Sequence, residues 1–339
     1  MGRPLVSIIT PTFNHQSFIL DCVDSVQNQT FSDWEQIIID DGSTDSTPQI
    51  LSRIKDPRIK IFYQKNKGPY RLHETYNKAL EEAKGEIIAI LEGDDKWPED
   101  KLSKQIDLFQ DPEVILSWGR GAIINAEEKL ERYVATVASR GPIASFTNSD
   151  ALRLLLGFNF FTPTSTVMVR KSALREIGGF KQPADVLFVD YPTWLFLCAN
   201  VPGRYVFMNS LLGFWRESPG QITSSQKERS YFAHYSTLLS FIEEILKENG
   251  SLLGSGLKKK EIVHYKSVAE AQLALYQKNW ATARSAFFSA LQSSAGAGSF
   301  FKSSLGLLSA SIHVDLIKML RILKRKTPLK WGHKKAKGK

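Results

Sequence analysis

The first third of the chain alternates short, almost unbroken apolar runs with segments whose apolar residues recur every three or four positions. The runs are LVSIIT (5–10), WEQIIID (34–40), RIKIFY (58–63), EIIAIL (86–91) and EVILSW (113–118). Helical spacing fills 17–29, a segment opening on Thr47 and Pro48, and roughly 70–84 and 99–109. The runs are short and lack a clean in/out alternation, which predicts strands covered on both faces, the pattern of a parallel sheet between helix layers. The expected fold class is α/β.

The pattern loosens over 126–150, which reads as a polar insertion or loop. It resumes with a strand at STVMVR (165–170), a short helix in KSALREIGGF with a glycine stop, a helix in DYPTWLFLCAN, and two strands, RYVFMN and LLGFWR, within 204–216. From about Gln226 the spacing is helical, and 269–291 reads as one tetratricopeptide-type helical hairpin turning at KNW. Leu305, Leu308, Ile312, Leu316, Met319 and Leu323 mark a further helix with one apolar face. Three parts are expected: a domain over 1–225, a helical extension over 226–298, and an amphipathic helix with tail over 299–339.

Charge changes this picture only at the end. The chain carries a net +9, yet residues 318–339 hold ten Lys or Arg and no acid, so the rest, with 34 basic and 35 acidic residues, sits near −1. Charged residues interrupt 305–323, so it lacks the ~20 apolar residues needed to cross a bilayer. Two readings stand: an in-plane amphipathic helix whose basic tail is drawn to an anionic membrane surface through 305–339, or a packed helix with a solvated tail. The start of the chain enters a strand pattern without an apolar signal region, so a cytoplasmic, peripheral placement is expected. Cys22 and Cys198 lie in apolar helical patterns and read as buried thiols. The six histidines show no metal-ligand spacing, and scattered aromatics give no platform for nucleic acid.

The chemistry concentrates at strand ends, where open α/β sheets bind ligands. Run 34–40 ends in Asp40 and Asp41 before GSTD, which a turn and helix cap would also explain. Run 86–91 ends in Glu92, Asp94 and Asp95. A cap needs one acid, and three crowded carboxylates raise each other's pKa, so a hard divalent cation such as Mg2+ or Mn2+ suits them.

The ordered set VSIITPTFN, DSVQNQTFSDWEQIIIDDGSTD, NKG, NKALEEAKGEIIAILEGDD, PEDKL, IGGF, VDYPTWLFL and LLGFWRESPGQIT resembles family 2 inverting glycosyltransferases of the GT-A fold over roughly residues 4–223. The resemblance implies an open, mostly parallel (mixed) sheet flanked by helices, here with a C-terminal all-helical extension. It implies a nucleotide diphosphate sugar donor, with a UDP-sugar expected, and a glycan or lipid-linked acceptor. By the same resemblance Thr10, Pro11, Phe13 and Asn14 flank the base, Asp41 bonds the base or ribose, and Asn77 matches a donor-site asparagine. Asp94 reaches ribose or phosphate, and Asp95, with Asp94 and Glu92, forms the metal set. Arg216 pairs with donor phosphates, and Asp190 is the base that deprotonates the acceptor. Glu92 and Val189 stand where the family has Asp and Glu. That motivates an alternative: an inactive nucleotide-sugar-binding homologue anchored by its tail.

Overall fold

The computed structural model describes residues 2–134, 137, 141–184, 186–218, 235–244, 258–294 and 297–313. It divides into two compact units, Met1–Leu257 and Lys258–Lys339.

The first unit is built on one nine-stranded mixed sheet. Its strands are β1 (Val6–Thr12), β2 (Trp34–Asp40), β3 (Ile59–Tyr63), β4 (Ile87–Ile90), β5 (Val114–Ile124), β6 (Leu130–Tyr133), β7 (Ile143–Thr147), β8 (Met168–Arg170) and β9 (Arg204–Arg216). The order is β3-β2-β1-β4-β8-β5-β9-β7, with β6 paired to β5. β3, β2, β1 and β4 run parallel, as do β5 and β9, while β8 lies antiparallel between β4 and β5. Every residue of β1, β2 and β4 is buried, as strands with both faces covered require. On one face, Val6, Ile8, Ile38, Ile87 and Ala89 pack against Ile19, Cys22, Val23 and Val26 of α1 (Ile19–Gln27), Leu51 of α2 (Thr47–Leu51) and Leu102 of α4 (Lys101–Ile106). α3 (Leu72–Glu82) packs against β1 and β2. Both cysteines are buried and free.

Two expectations are corrected. Residues 126–150 are not simply a loop: they hold β6, β7 and the start of α5 (Asn148–Gly157). β6 is exposed along its length and so lacks the buried face that makes a strand legible. The two strands expected within 204–216 are a single strand, because β9 follows β5 through register shifts around Gly119, Arg120 and Gly121 instead of breaking. After β8 come α6 (Lys171–Glu176), α7 (Asp190–Asn200) and, beyond β9, a helical stretch α8 (235–244) whose Phe241 meets Phe196 of α7 edge-on at 5.3 Å.

The second unit contains α9 (Lys259–Tyr276), α10 (Trp280–Gln292) and α11 (Ala297–Ser311). α9 and α10 form the expected hairpin. Lys278 adopts φ 56° in the turn and the Asn279 side chain caps α10 by accepting from Thr282 N at 3.2 Å. Ala271, Ala274, Leu275, Ala283, Ala286, Phe287 and Ala310 make its core. Since Ala310 belongs to that core and α11 begins at Ala297, the described part of α11 joins the hairpin, and the expected boundary at 298 does not separate it. Residues 314–339, with most of the expected amphipathic helix and the basic tail, lie outside the described residues.

Candidate active site

Asp40, Asp41 and the Glu92–Asp95 loop follow the carboxyl ends of β2 and β4, on either side of β1, whose end carries Phe13 and Asn14. The acidic loop is fastened from several directions. The Asp95 N–H closes a turn on the Glu92 carbonyl (3.0 Å), and Lys96 exchanges backbone hydrogen bonds with Phe214 of β9. Gly93 sits so close to β1 that a Cβ there would lie 2.5 Å from Thr12 Oγ1 and 2.9 Å from His15 Nδ1, a space only glycine fits.

Arg216, the last residue of β9, lies beneath this loop and is fully buried. Its N–H donates to Asp95 Oδ1 (3.0 Å) and its Nε to the Asp94 carbonyl (2.9 Å). The guanidinium also meets the Ala126 carbonyl, Asp21 and Glu128, with the Phe18 ring at 4.7 Å. In this geometry Arg216 is a buttress, and what it holds is the acidic loop.

Asp95 is 3% exposed, and its carboxyl is pushed far above the usual range by burial, reinforced by the Asp94 and Glu92 charges. Burial also lifts Glu92, to about 7, with Asp94 and Asp190 adding to the rise and a hydrogen bond from Tyr76 opposing it. That bond, Tyr76 Oη to Glu92 Oε1, is 2.6 Å. Glu92 is thus engaged on the Tyr76 side, and among the described residues no three His, Cys, Asp or Glu side chains converge on one metal position. Of the expected three-carboxylate set, Glu92 is held by Tyr76 in this geometry, which leaves Asp94 and Asp95 as the carboxylates without that engagement. These still fit a hard cation, because Mg2+ takes one or two carboxylates and fills its shell with phosphate and water oxygens. The part of Asp95's rise that comes from the Asp94 and Glu92 charges reflects a negative field that a cation would offset.

Asp190 is the first residue of α7. Its Oδ2 accepts from Asn159 Nδ2 at 2.8 Å, and burial raises its pKa while bonds from the Tyr191 backbone, Asn159 and Thr164 oppose the rise. Thr164 and Ser165 are consecutive in a 3-10 turn. The first stabilises Asp190; the second faces Asp95 without closing a full hydrogen bond. The turn is pinned by Trp97, whose Nε1 donates to the Ser165 carbonyl at 2.6 Å. The Tyr76 hydroxyl is raised first by burial and then by the charges of Glu92, Asp190 and Asp95, so all three carboxylates act on the same buried hydroxyl.

Other expected residues divide. Asp41 is buried, and its Oδ1 accepts from Gln64 Nε2 (2.6 Å) and Lys67 N (3.1 Å), which fixes the 64–67 loop beside the β1 end. Phe13 is 41% exposed, and Asn14, at φ 54°, accepts from Thr44 N at 2.8 Å. Thr10 and Pro11 are buried within β1, where Thr10 Oγ1 accepts from Gln36 Nε2 at 3.0 Å. Asn77 is engaged within the protein. Its amide accepts from Phe180 N (2.7 Å) and donates to Phe180 O (3.1 Å), clipping the turn formed by Gly178 and Gly179 at φ 74° and 88°. Sequence reasoning missed Asn159 and also His15, whose Nε2 is 3.8 Å from Asp94 Oδ2. Asn159 carries no motif, and a lone histidine three residues past a strand gives no spacing to read.

The model of the family described as Glycosyl transferase family 2 matches residues 7–178. The chain belongs to that family and is a glycosyltransferase with a GT-A-like fold. TuaG of Bacillus subtilis strain 168, whose name assigns it to teichuronic acid biosynthesis, is 33% identical over 228 residues, which is 66% of this chain and 83% of TuaG. The Escherichia coli protein named UDP-Glc:alpha-D-GlcNAc-diphosphoundecaprenol beta-1,3-glucosyltransferase WfgD is 35% identical over 138 residues, 40% of this chain and 53% of WfgD. In fold, the chain matches the crystal structure of S. aureus TarS residues 1–349 in complex with UDP-GlcNAc at a TM-score of 0.62 and 16% identity, over 85% of this chain and 81% of that one.

Proposed function

We propose that the enzyme moves a sugar from a UDP-sugar to a hydroxyl of a glycan or lipid-linked acceptor with inversion at the anomeric carbon, Asp190 serving as the base. The observation that carries this reading is the shared surroundings of Asp190 and the acidic loop, with Thr164 touching one and Ser165 facing the other. The acceptor hydroxyl gives its proton to Asp190 as its oxygen bonds the anomeric carbon, and the bond from that carbon to the diphosphate breaks with its electron pair leaving on the phosphate oxygen. Phe13, Asn14 and the Asp41-anchored loop fit the nucleoside, whose ribose hydroxyls and uracil N–H are donors for carboxylate and backbone acceptors. Asp94 and Asp95 would hold Mg2+ or Mn2+, which when bound offsets charge on the departing diphosphate. The reading includes work at the cytoplasmic face of a membrane, where a lipid-linked acceptor such as the one in WfgD's name is presented.

Screening UDP-sugars for transfer or slow hydrolysis, with and without chelator, tests the donor class. Asp190→Asn must remove transfer while donor binding persists; equal turnover in that variant would falsify the assignment of the base.

A further inference from the structure

α11 meets its neighbours through small residues. A Cβ on Gly306 would lie 2.2 Å from the Phe287 ring, and Ser303 and Ala310 are buried beside it. The opposite side is apolar and open: Phe300 is 54% exposed, Phe301 64%, Leu308 51% and, just past the helix, Ile312 50%. At about 100° per residue, Phe301, Leu305, Leu308 and Ile312 fall within an arc of roughly 60°. Leu316, Met319 and Leu323 continue the same three- and four-residue spacing in the sequence. Between 297 and 313 the only Lys, Arg, Asp or Glu is Lys302; beyond it the chain has a single acid, Asp315, and then ten Lys or Arg over 318–339.

We infer that this stripe is a membrane-docking edge: Phe301, Leu308 and Ile312 enter the acyl boundary of a bilayer while the following basic residues engage anionic headgroups. Apolar side chains and clustered cations on one helix and its continuation are what an interfacial anchor needs, and neither alone binds strongly. Charge decides against a second copy of the chain as occupant. A second copy would cover the stripe but offer the ten cations no counter-charge, whereas an anionic leaflet complements both features. The sequence pattern placed the stripe from Leu305 onward; the structure starts it one turn earlier and makes Phe301 its most exposed member. The inference extends the membrane placement above and does not depend on how the sugar is transferred.

The test is flotation of the full-length chain with phosphatidylcholine vesicles and with vesicles containing about one third phosphatidylglycerol. Binding to the anionic vesicles alone, weakened by salt and reduced tenfold or more by Phe301→Glu with Leu308→Glu at an unchanged melting temperature, is the expected result. Flotation that survives the double substitution would overturn the proposal, as would no flotation of the native chain. A dimer that the substitutions dissociate without altering flotation would also overturn it, because the stripe would then belong to a second copy. Should the double variant not fold, Phe301→Trp gives an independent reading: its emission must shift to shorter wavelength on adding anionic vesicles, and an unmoved spectrum sinks the idea. Transfer to a water-soluble acceptor, measured on the same proteins, is expected to be unchanged.

Discussion

On the donor side of the proposed site, Phe13, Asn14, Asp41 and Asp95 follow the ends of adjacent parallel strands. On the acceptor side, Asn159, Thr164 and Asp190 come from the residues after α5, a 3-10 turn and the start of α7. The first group inherits its spacing from the sheet, since neighbouring parallel strands lie about 4.8 Å apart and share a direction. The second group is positioned by side-chain hydrogen bonds: Asn159 to Asp190, Asn77 to Phe180, and Trp97 to Ser165. The sheet thus supplies a fixed donor platform, and the acceptor wall is set by bonds that substitutions can remove one at a time.

The largest expected effect tests the acceptor side alone. Asp190→Asn should lower transfer by roughly 10²–10⁴-fold while calorimetry finds donor affinity unchanged. If donor binding falls equally, the two halves are not separable. Next comes the donor side. Arg216→Met should cost about 2–4 kcal/mol in urea unfolding, because it leaves the Asp94 carbonyl without its Nε donor and removes the counter-charge of Asp21 and Glu128, a loss tempered by the exposure of those two acids and by the backbone N–H at 216, which still donates to Asp95. A donor-affinity loss at full stability would instead return Arg216 to the phosphates. Asn159→Ala should reduce kcat by roughly tenfold with donor KM unchanged, and should move the acid limb of the rate profile upward, since the Asn159 bond holds Asp190's pKa down.

The smallest expected effect is on stability against pH. Glu92 has a raised folded-state pKa, about 7 against an ordinary 4.5. The native state therefore holds its proton longer than the unfolded chain does, and this contribution is complete below pH 4.5 and lost as pH rises to about 7. Without added divalent cation, the urea midpoint of Glu92→Gln should show a flatter pH slope across that window than the native chain; identical slopes would refute the assignment.

Apolar runs made the parallel core legible, because full burial on both faces keeps β4 wholly apolar and leaves few polar residues in β1 and β2, where Ser7, Thr10, Glu35 and Gln36 are themselves buried. The acids were legible for the opposite reason, being too crowded to be caps. Illegible were β6, whose four residues are exposed, and the continuity of β9 through its bulges. The pairings of Arg216 with Asp94 and Asp95, and of Asn159 with Asp190, also escaped, since a hydrogen bond across 31 or 121 positions leaves no local period. Arg216 illustrates this: the family resemblance implied a phosphate partner, whereas its burial and its bonds to the acidic loop left no mark in the sequence.

That tether also sets an order of assembly. Asp95 leaves the ribosome 121 residues before the backbone amide of Arg216 that will secure it, a wait on the order of ten seconds at ordinary rates of synthesis. A fragment ending at 178, where the family match stops, would carry every acid of the loop without the Lys96–Phe214 pairing and the Arg216 bonds, so a piece that keeps the whole fastening must run at least through the close of β9.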